Sequence, residues 1–233
     1  MPAISKGRLF AAIALLLLAL LLIQPDWLLE SLSKRVTYSV QTEEPIVALT
    51  IDDGPDASTT PAILDLLIEY GASATFFVIT ERVPGNEQLL ERMIEEGHEL
   101  GNHMTNEKPS ITLGREGFAA DLGAADTTLS QFDVIRWVRP GSGWFTANMI
   151  DTAESRGYRM ALGSVYPFDH LIPSSWFASE FILWRIRPGD VIVLHDHRWR
   201  GERTADTLNR VLPELMERGY KVVTLSELVD LGE

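Results

Sequence analysis

Apolar positions along this chain fall into three patterns. Leu9 to Ile23 is an uninterrupted apolar run, with Lys6 and Arg8 before it and Gln24-Pro25-Asp26 after it. Shorter blocks follow, among them Ile46-Val47-Ala48-Leu49-Thr50-Ile51, Thr75-Phe76-Phe77-Val78-Ile79 and Val191-Ile192-Val193-Leu194. Their length and β-branched content predict buried strands. Between the blocks lie stretches at helical spacing. Ile63, Leu64, Leu67 and Ile68 make one apolar face, opened by Thr59-Thr60-Pro61 and closed by Gly71, a start and a stop with known chemistry. The unit recurs. Glu95-Glu96-Gly97, Ser155-Arg156-Gly157 and Glu217-Arg218-Gly219 each place a glycine after a helical stretch. Apolar blocks follow, weakest after Gly97, then Met160-Ala161-Leu162 and Val222-Val223-Thr224-Leu225. A further strand is predicted over Val134–Val138 and a helix over roughly Ser175–Arg187. Helix, glycine and strand in repetition mean parallel βα units, an α/β chain with both sheet faces covered. A barrel and an open doubly wound sheet fit this pattern equally. In both, chemistry gathers at the C-terminal ends of the strands.

Composition narrows the classes. The chain has 233 residues and no cysteine, which excludes disulfides, thiolate metal sites and a cysteine nucleophile. Residues 35–233 carry 17 basic and 31 acidic residues, so a phosphate backbone is repelled and nucleic acid is a poor partner. The apolar run of 15 residues lies between a signal-peptide core and a full span, which needs about 20 residues. Residues 1–34 are therefore expected to be a signal peptide or signal-anchor plus linker, an anchor being favoured. Either way, the basic flank stays cytoplasmic and residues 35–233 form one extracytoplasmic domain, membrane-anchored or secreted.

The strand ends hold the candidate chemistry. Asp52-Asp53-Gly54-Pro55 follows the first block, and adjacent carboxylates repel unless a cation sits with them. Taken singly, that motif is explained about equally well by a solvated Asp-Gly turn. His103 and Glu107 are four residues apart, a workable pair of metal donors, although a surface pair is the commoner case. His98, five residues earlier, reads as a structural histidine bonded to backbone. Arg139-Pro140-Gly141-Ser142-Gly143 follows the Val134–Val138 block, and an arginine there can fix a carboxylate. Asp169 lies in the segment after Leu162, and His195 ends the Val191 block, a position suited to a general acid or base. His195 and His197 could also form a metal pair. Each feature has an ordinary structural explanation. Together they read as a metal-dependent hydrolase.

The ordered motifs resemble those of the polysaccharide deacetylases, carbohydrate esterase family 4 or the NodB-homology domain, from about Pro45 to about Leu228. Thr50-Ile51-Asp52-Asp53-Gly54-Pro55 stands where that family has Thr-Phe-Asp-Asp-Gly-Pro. Gly97-His98-Glu99-Leu100-Gly101-Asn102-His103 matches its second motif, and Arg139-Pro140, Asp169 and Leu194-His195 match the next three. The resemblance implies a distorted (β/α) barrel of parallel strands and removal of N- or O-acetyl groups from sugars. It implies that Asp53 and His103 bind a divalent ion, with Glu107 standing where a second histidine ligand is usual. Zinc is the first expectation, with cobalt or manganese as alternatives because a carboxylate donor favours harder ions. It further implies that Asp52 is the base toward a metal-bound water and that His195 is the acid, held by Asp169. Arg139 would position Asp52, and a backbone N–H, that of Ser142, would receive the oxyanion. Tyr166 and His170 replace a usual aspartate and tryptophan of the fourth motif. Gly141-Ser142 replaces a usual proline and aromatic residue of the third.

The expected substrate is an acetylated glycan, chitin-like or peptidoglycan-like. Two alternatives compete: hydrolysis of a small non-glycan amide on the same fold, and non-catalytic glycan binding around a degraded metal site. Trp144, Trp176, Trp184 and Trp199 are candidates for sugar stacking. Most tryptophans are core residues, so Trp144, next to the Arg139 loop, is the one chosen. The sequence leaves the oligomeric state open.

Overall fold

The computed structural model describes residues 33–232 and, before them, only positions 7, 13 and 15. The N-terminal apolar run, with the anchor or signal peptide expected of it, lies outside the described residues. Among those described, no helix is long and apolar enough to cross a membrane.

Eight strands form one sheet: β1 (Val36–Thr37), β2 (Ile46–Asp52), β3 (Thr75–Val78), β4 (Glu99–Asn102), β5 (Trp137–Val138), β6 (Arg159–Ala161), β7 (Val191–His195) and β8 (Lys221–Val223). The helices are α1 (Thr60–Glu69), α2 (Glu87–Glu95), α3 (Gly114–Leu129), α4 (Ala147–Glu154), α5 (Ser175–Arg185), α6 (Trp199–Glu217) and α7 (Leu225–Gly232). All strand pairs are parallel, in the order β1-β6-β5-β4-β3-β2-β7, with β8 also against β2. The sheet curls until β7 reaches the far side. Ile192 bridges Val165, just past β6, and Asp190 bridges Ser39, just past β1. The result is the distorted barrel of the two folds that the pattern allowed.

Within each strand the period of two sorts side chains between barrel interior and helix layer. Val47, Leu49 and Ile51 of β2 pack outward against Ile63, Leu64 and Leu67 of α1 and Leu208, Leu212 and Leu215 of α6. Ile46 and Ala48 face inward with Phe77, Trp137, Ala161 and Val191. Gly101 of β4 leaves room for the inward Phe77, whose ring would stand 2.6 Å from a Cβ there.

Three local expectations are corrected. The Val134–Val138 strand shrinks to Trp137–Val138, and Val134 is exposed. The Val134 N–H is taken by the Asp133 carboxylate at 2.7 Å instead of a ladder partner. Helix α5 stops at Arg185 rather than Arg187, because Pro188 disfavours helical backbone at the residue before it. Thr59 stands at the start of α1 without capping it; its hydroxyl donates instead to buried Asp196, at 2.5 Å.

Candidate active site

The inward phase of three strands builds the site. Asp52 continues the inward series of β2, and His195 continues that of β7 after Val191 and Val193. Arg139 follows inward Trp137. In the parallel pair, Asp52 is in register with His195, so a carboxylate and an imidazole sit on adjacent strands at the barrel mouth. The cleft above them holds about 530 Å³ and is lined by Asp52, Asp53, His103, Arg139, Trp144 and His195, among others.

Each of these two groups has a fixed partner. Arg139 is 2% exposed, and its guanidinium donates to the Asp52 Oδ1 at 2.5 Å, the Thr50 hydroxyl at 2.8 Å and the carbonyls of Ala161 and Leu162. The Phe77 ring lies 4.1 Å beneath it. This arrangement occupies one oxygen of Asp52 and leaves Oδ2 toward His103, 4.0 Å away. Behind His195, Asp169 sits 2.9 Å from Nδ1 and also accepts from the His195 backbone N–H at 3.0 Å. Burial works against the charged imidazole, but Asp169, with Asp52 and Asp53 beyond it, wins and lifts the His195 pKa to about 9.

That shift has a testable sign. A pKa raised from about 6.5 to about 9 adds stability that is complete below about pH 6.5 and lost as pH rises through about 9. An NMR titration should show one histidine titrating near pH 9, and Asp169→Asn should return it toward 6.5. His170 tilts against His195 with ring centroids 5.3 Å apart. Burial, then the charge on His195, lowers its own pKa. Among the described residues, donor atoms of Asp169, His170 and His195 lie within 4.8 Å of one another.

The expected metal ligands divide into two groups. His103 places Nδ1 2.7 Å from the Arg139 carbonyl. A carbonyl only accepts, so Nδ1 carries a proton, and Nε2 points to Asp53 Oδ1 at 3.5 Å. A histidine oriented through its other nitrogen, beside a carboxylate, is the arrangement a divalent ion requires. Burial raises the Asp53 pKa, but the hydrogen bond and charge of His103, with His195 and Arg200, hold it far below the usual range. Glu107 enters the same cleft with its carboxylate already bound. It accepts from Arg82 and from Arg200 at 2.9 Å, and Arg200 also reaches Asp53 Oδ2 at 2.7 Å.

The remaining positions are mixed. Ser142 lines the cleft in left-handed backbone, φ 67°, and Trp144 stands 67% exposed at its edge. The expectation that most tryptophans are core fails for the described ones: Trp176, Trp184 and Trp199 are exposed as well, and Trp137 alone is buried. His98 is buried, with Nδ1 accepting from the Ala74 N–H at 3.3 Å, the structural role expected of it. His197 pairs with Asp56 at 2.9 Å, apart from His195. Sequence reasoning missed Arg82 and Arg200. The available signal was charge balance, since Asp52, Asp53, Glu107 and Asp169 exceed what Arg139 and His195 can neutralise.

Residues 39–161 match the family model for polysaccharide deacetylase. Over 202 residues the chain is 35% identical to a peptidoglycan-N-acetylglucosamine deacetylase of Bacillus cereus, covering 83% of this chain and 92% of that one. A family 4 acetyl xylan esterase from Clostridium thermocellum, solved with a cobalt ion, superposes with a TM-score of 0.74 at 28% identity, covering 80% of this chain and 91% of its own. A family 4 pseudoenzyme from Bacillus anthracis, in a mutant with restored activity, superposes with a TM-score of 0.76 at 26% identity, covering 83% and 70%. With these likenesses, the parallel barrel and the residues at its mouth, this chain belongs to the polysaccharide deacetylase family.

Proposed function

We propose that this chain is an extracytoplasmic, metal-dependent hydrolase that removes N-acetyl groups from a glycan of the peptidoglycan or chitin type. The observation that carries the reading is the register of Asp52 with His195, each backed by a buried partner of opposite charge. Asp53 and His103 would hold the divalent ion, zinc first with cobalt or manganese as alternatives, while Glu107, the third expected ligand, is bound by Arg82 and Arg200. When bound there, such an ion makes the attacking water more acidic. Asp52 Oδ2 accepts the proton of that water as it attacks the acetyl carbonyl, while Arg139 holds the carboxylate in place through Oδ1. The Ser142 N–H, on a loop that lines the cleft, would receive the developing oxyanion. His195, kept protonated by Asp169 up to about pH 9, donates to the departing amine, a poor leaving group until it is protonated. Trp144 offers a ring face for a sugar at the cleft edge.

The experiment is acetate release from N-acetylglucosamine oligomers. Chelator-treated protein should release none, and zinc, cobalt or manganese should restore it. Release unaffected by chelation and by added ions would overturn the metal-dependent reading. A non-catalytic, glycan-binding reading has one observation in its favour, the salt bridge from Arg200 to Asp53. Saturable glycan binding without acetate release under any ion would establish it.

A further inference from the structure

Arg200 occupies an unusual place. Its guanidinium bridges Asp53 Oδ2 at 2.7 Å and Glu107 Oε1 at 2.9 Å, so one fixed cation already joins two of the three expected ligands. The placement is built into the chain. Two residues upstream, the Arg198 N–H donates to Asp56 Oδ2 at 3.0 Å, and His197 Nδ1 lies 2.9 Å from that oxygen. The start of α6 is thereby pinned to the loop that carries Asp53. From the other side, Arg82 donates to Glu107 and to the Asp53 carbonyl, fixing Glu107 where Arg200 meets it. Arg82 and Arg200 together answer the charges of Glu107 and Asp53.

We propose that Arg200 is a resident cation of the metal site, with Glu107 as its tether, and that a divalent ion binds Asp53 and His103 only when Arg200 leaves Asp53. This rests on the reading of Asp53 and His103 as ligands. A competent form populated only part of the time weakens apparent affinity by that fraction. Arg200 docked 90–99% of the time would therefore weaken ion binding by about 10–100-fold. Glu107 then has a reason to be a carboxylate: a histidine could hold the ion but not the guanidinium.

The test is calorimetric titration of metal-stripped full-length protein with cobalt chloride. Arg200→Gln should bind cobalt at least about tenfold more tightly than the wild type. Arg200→Lys, which keeps the charge but not the two-point bridge, should fall between them and guards against a misfolded glutamine variant. In the Arg200→Gln background, adding Glu107→Gln should change cobalt affinity by less than about threefold, since a tether with nothing to hold is idle. Equal cobalt affinity of wild type and Arg200→Gln would overturn the gate. A loss of tenfold or more on adding Glu107→Gln would make Glu107 a ligand and overturn the tether. Acetate release, measured in parallel, tests the proposed reaction separately: its absence with a tenfold gain in cobalt affinity leaves Arg200 in this role and removes the deacetylase.

Discussion

Arg139→Met is expected to lower the unfolding free energy by about 3–5 kcal/mol, the cost of breaking a buried ion pair from one side. Methionine fills much of the volume of the arginine stem, so cavity formation is a minor part of the loss. The larger part is electrostatic. Asp52, 4% exposed, would lose the cation on Oδ1, and the carbonyls of Ala161 and Leu162 would lose a donor. In a domain of this size each kcal/mol lowers the melting temperature by about 2–4 °C. Chemical denaturation and thermal melts of the metal-stripped protein are the checks. A loss under 1 kcal/mol would mean that the buried network contributes little to holding the barrel mouth.

Asp52→Asn is the second large effect, and it separates chemistry from stability. The amide keeps an oxygen for the Arg139 guanidinium, which also retains Thr50 and the carbonyls of Ala161 and Leu162, so the loss of stability should be smaller than in Arg139→Met. It cannot accept a proton from water. Acetate release should fall by about 10²–10⁴-fold in kcat, the usual worth of a positioned general base, with KM little changed because the Trp144 side of the cleft is untouched. Full activity in this variant would remove Asp52 from the mechanism.

The fold class was legible because helix, glycine and strand repeat in a fixed order, and glycines 71, 97, 157 and 219 all take positive φ where each helix ends. The site was legible as motifs at strand ends. Less legible was the phase of those strands. Val191-Ile192-Val193-Leu194 is apolar on both faces, so nothing in the run says that His195 turns inward. The structure settles the phase, because Ile192 and Leu194 pack against helices and Val191 against the interior. Val134 was misassigned for a related reason: a β-branched residue favours extended backbone, but a strand also needs a neighbour to pair with. Arg200 escaped notice because it lies inside a helix rather than at a strand end. An arginine three residues from a histidine carries no signal until the fold brings it to Asp53.

The strand order has a consequence for how the chain acquires its activity. Strand β2 precedes β7 and β8 by well over a hundred residues, yet pairs with both. Pairing between segments so far apart in sequence is entropically slow, so β2 waits for its flank until β7 and β8 have been made. Until then Asp52 has no His195 beside it, and Asp53 has no Arg200. A partly folded chain thus lacks both the Asp52–His195 juxtaposition and the Arg200 bridge until β7 and the helix after it join the sheet.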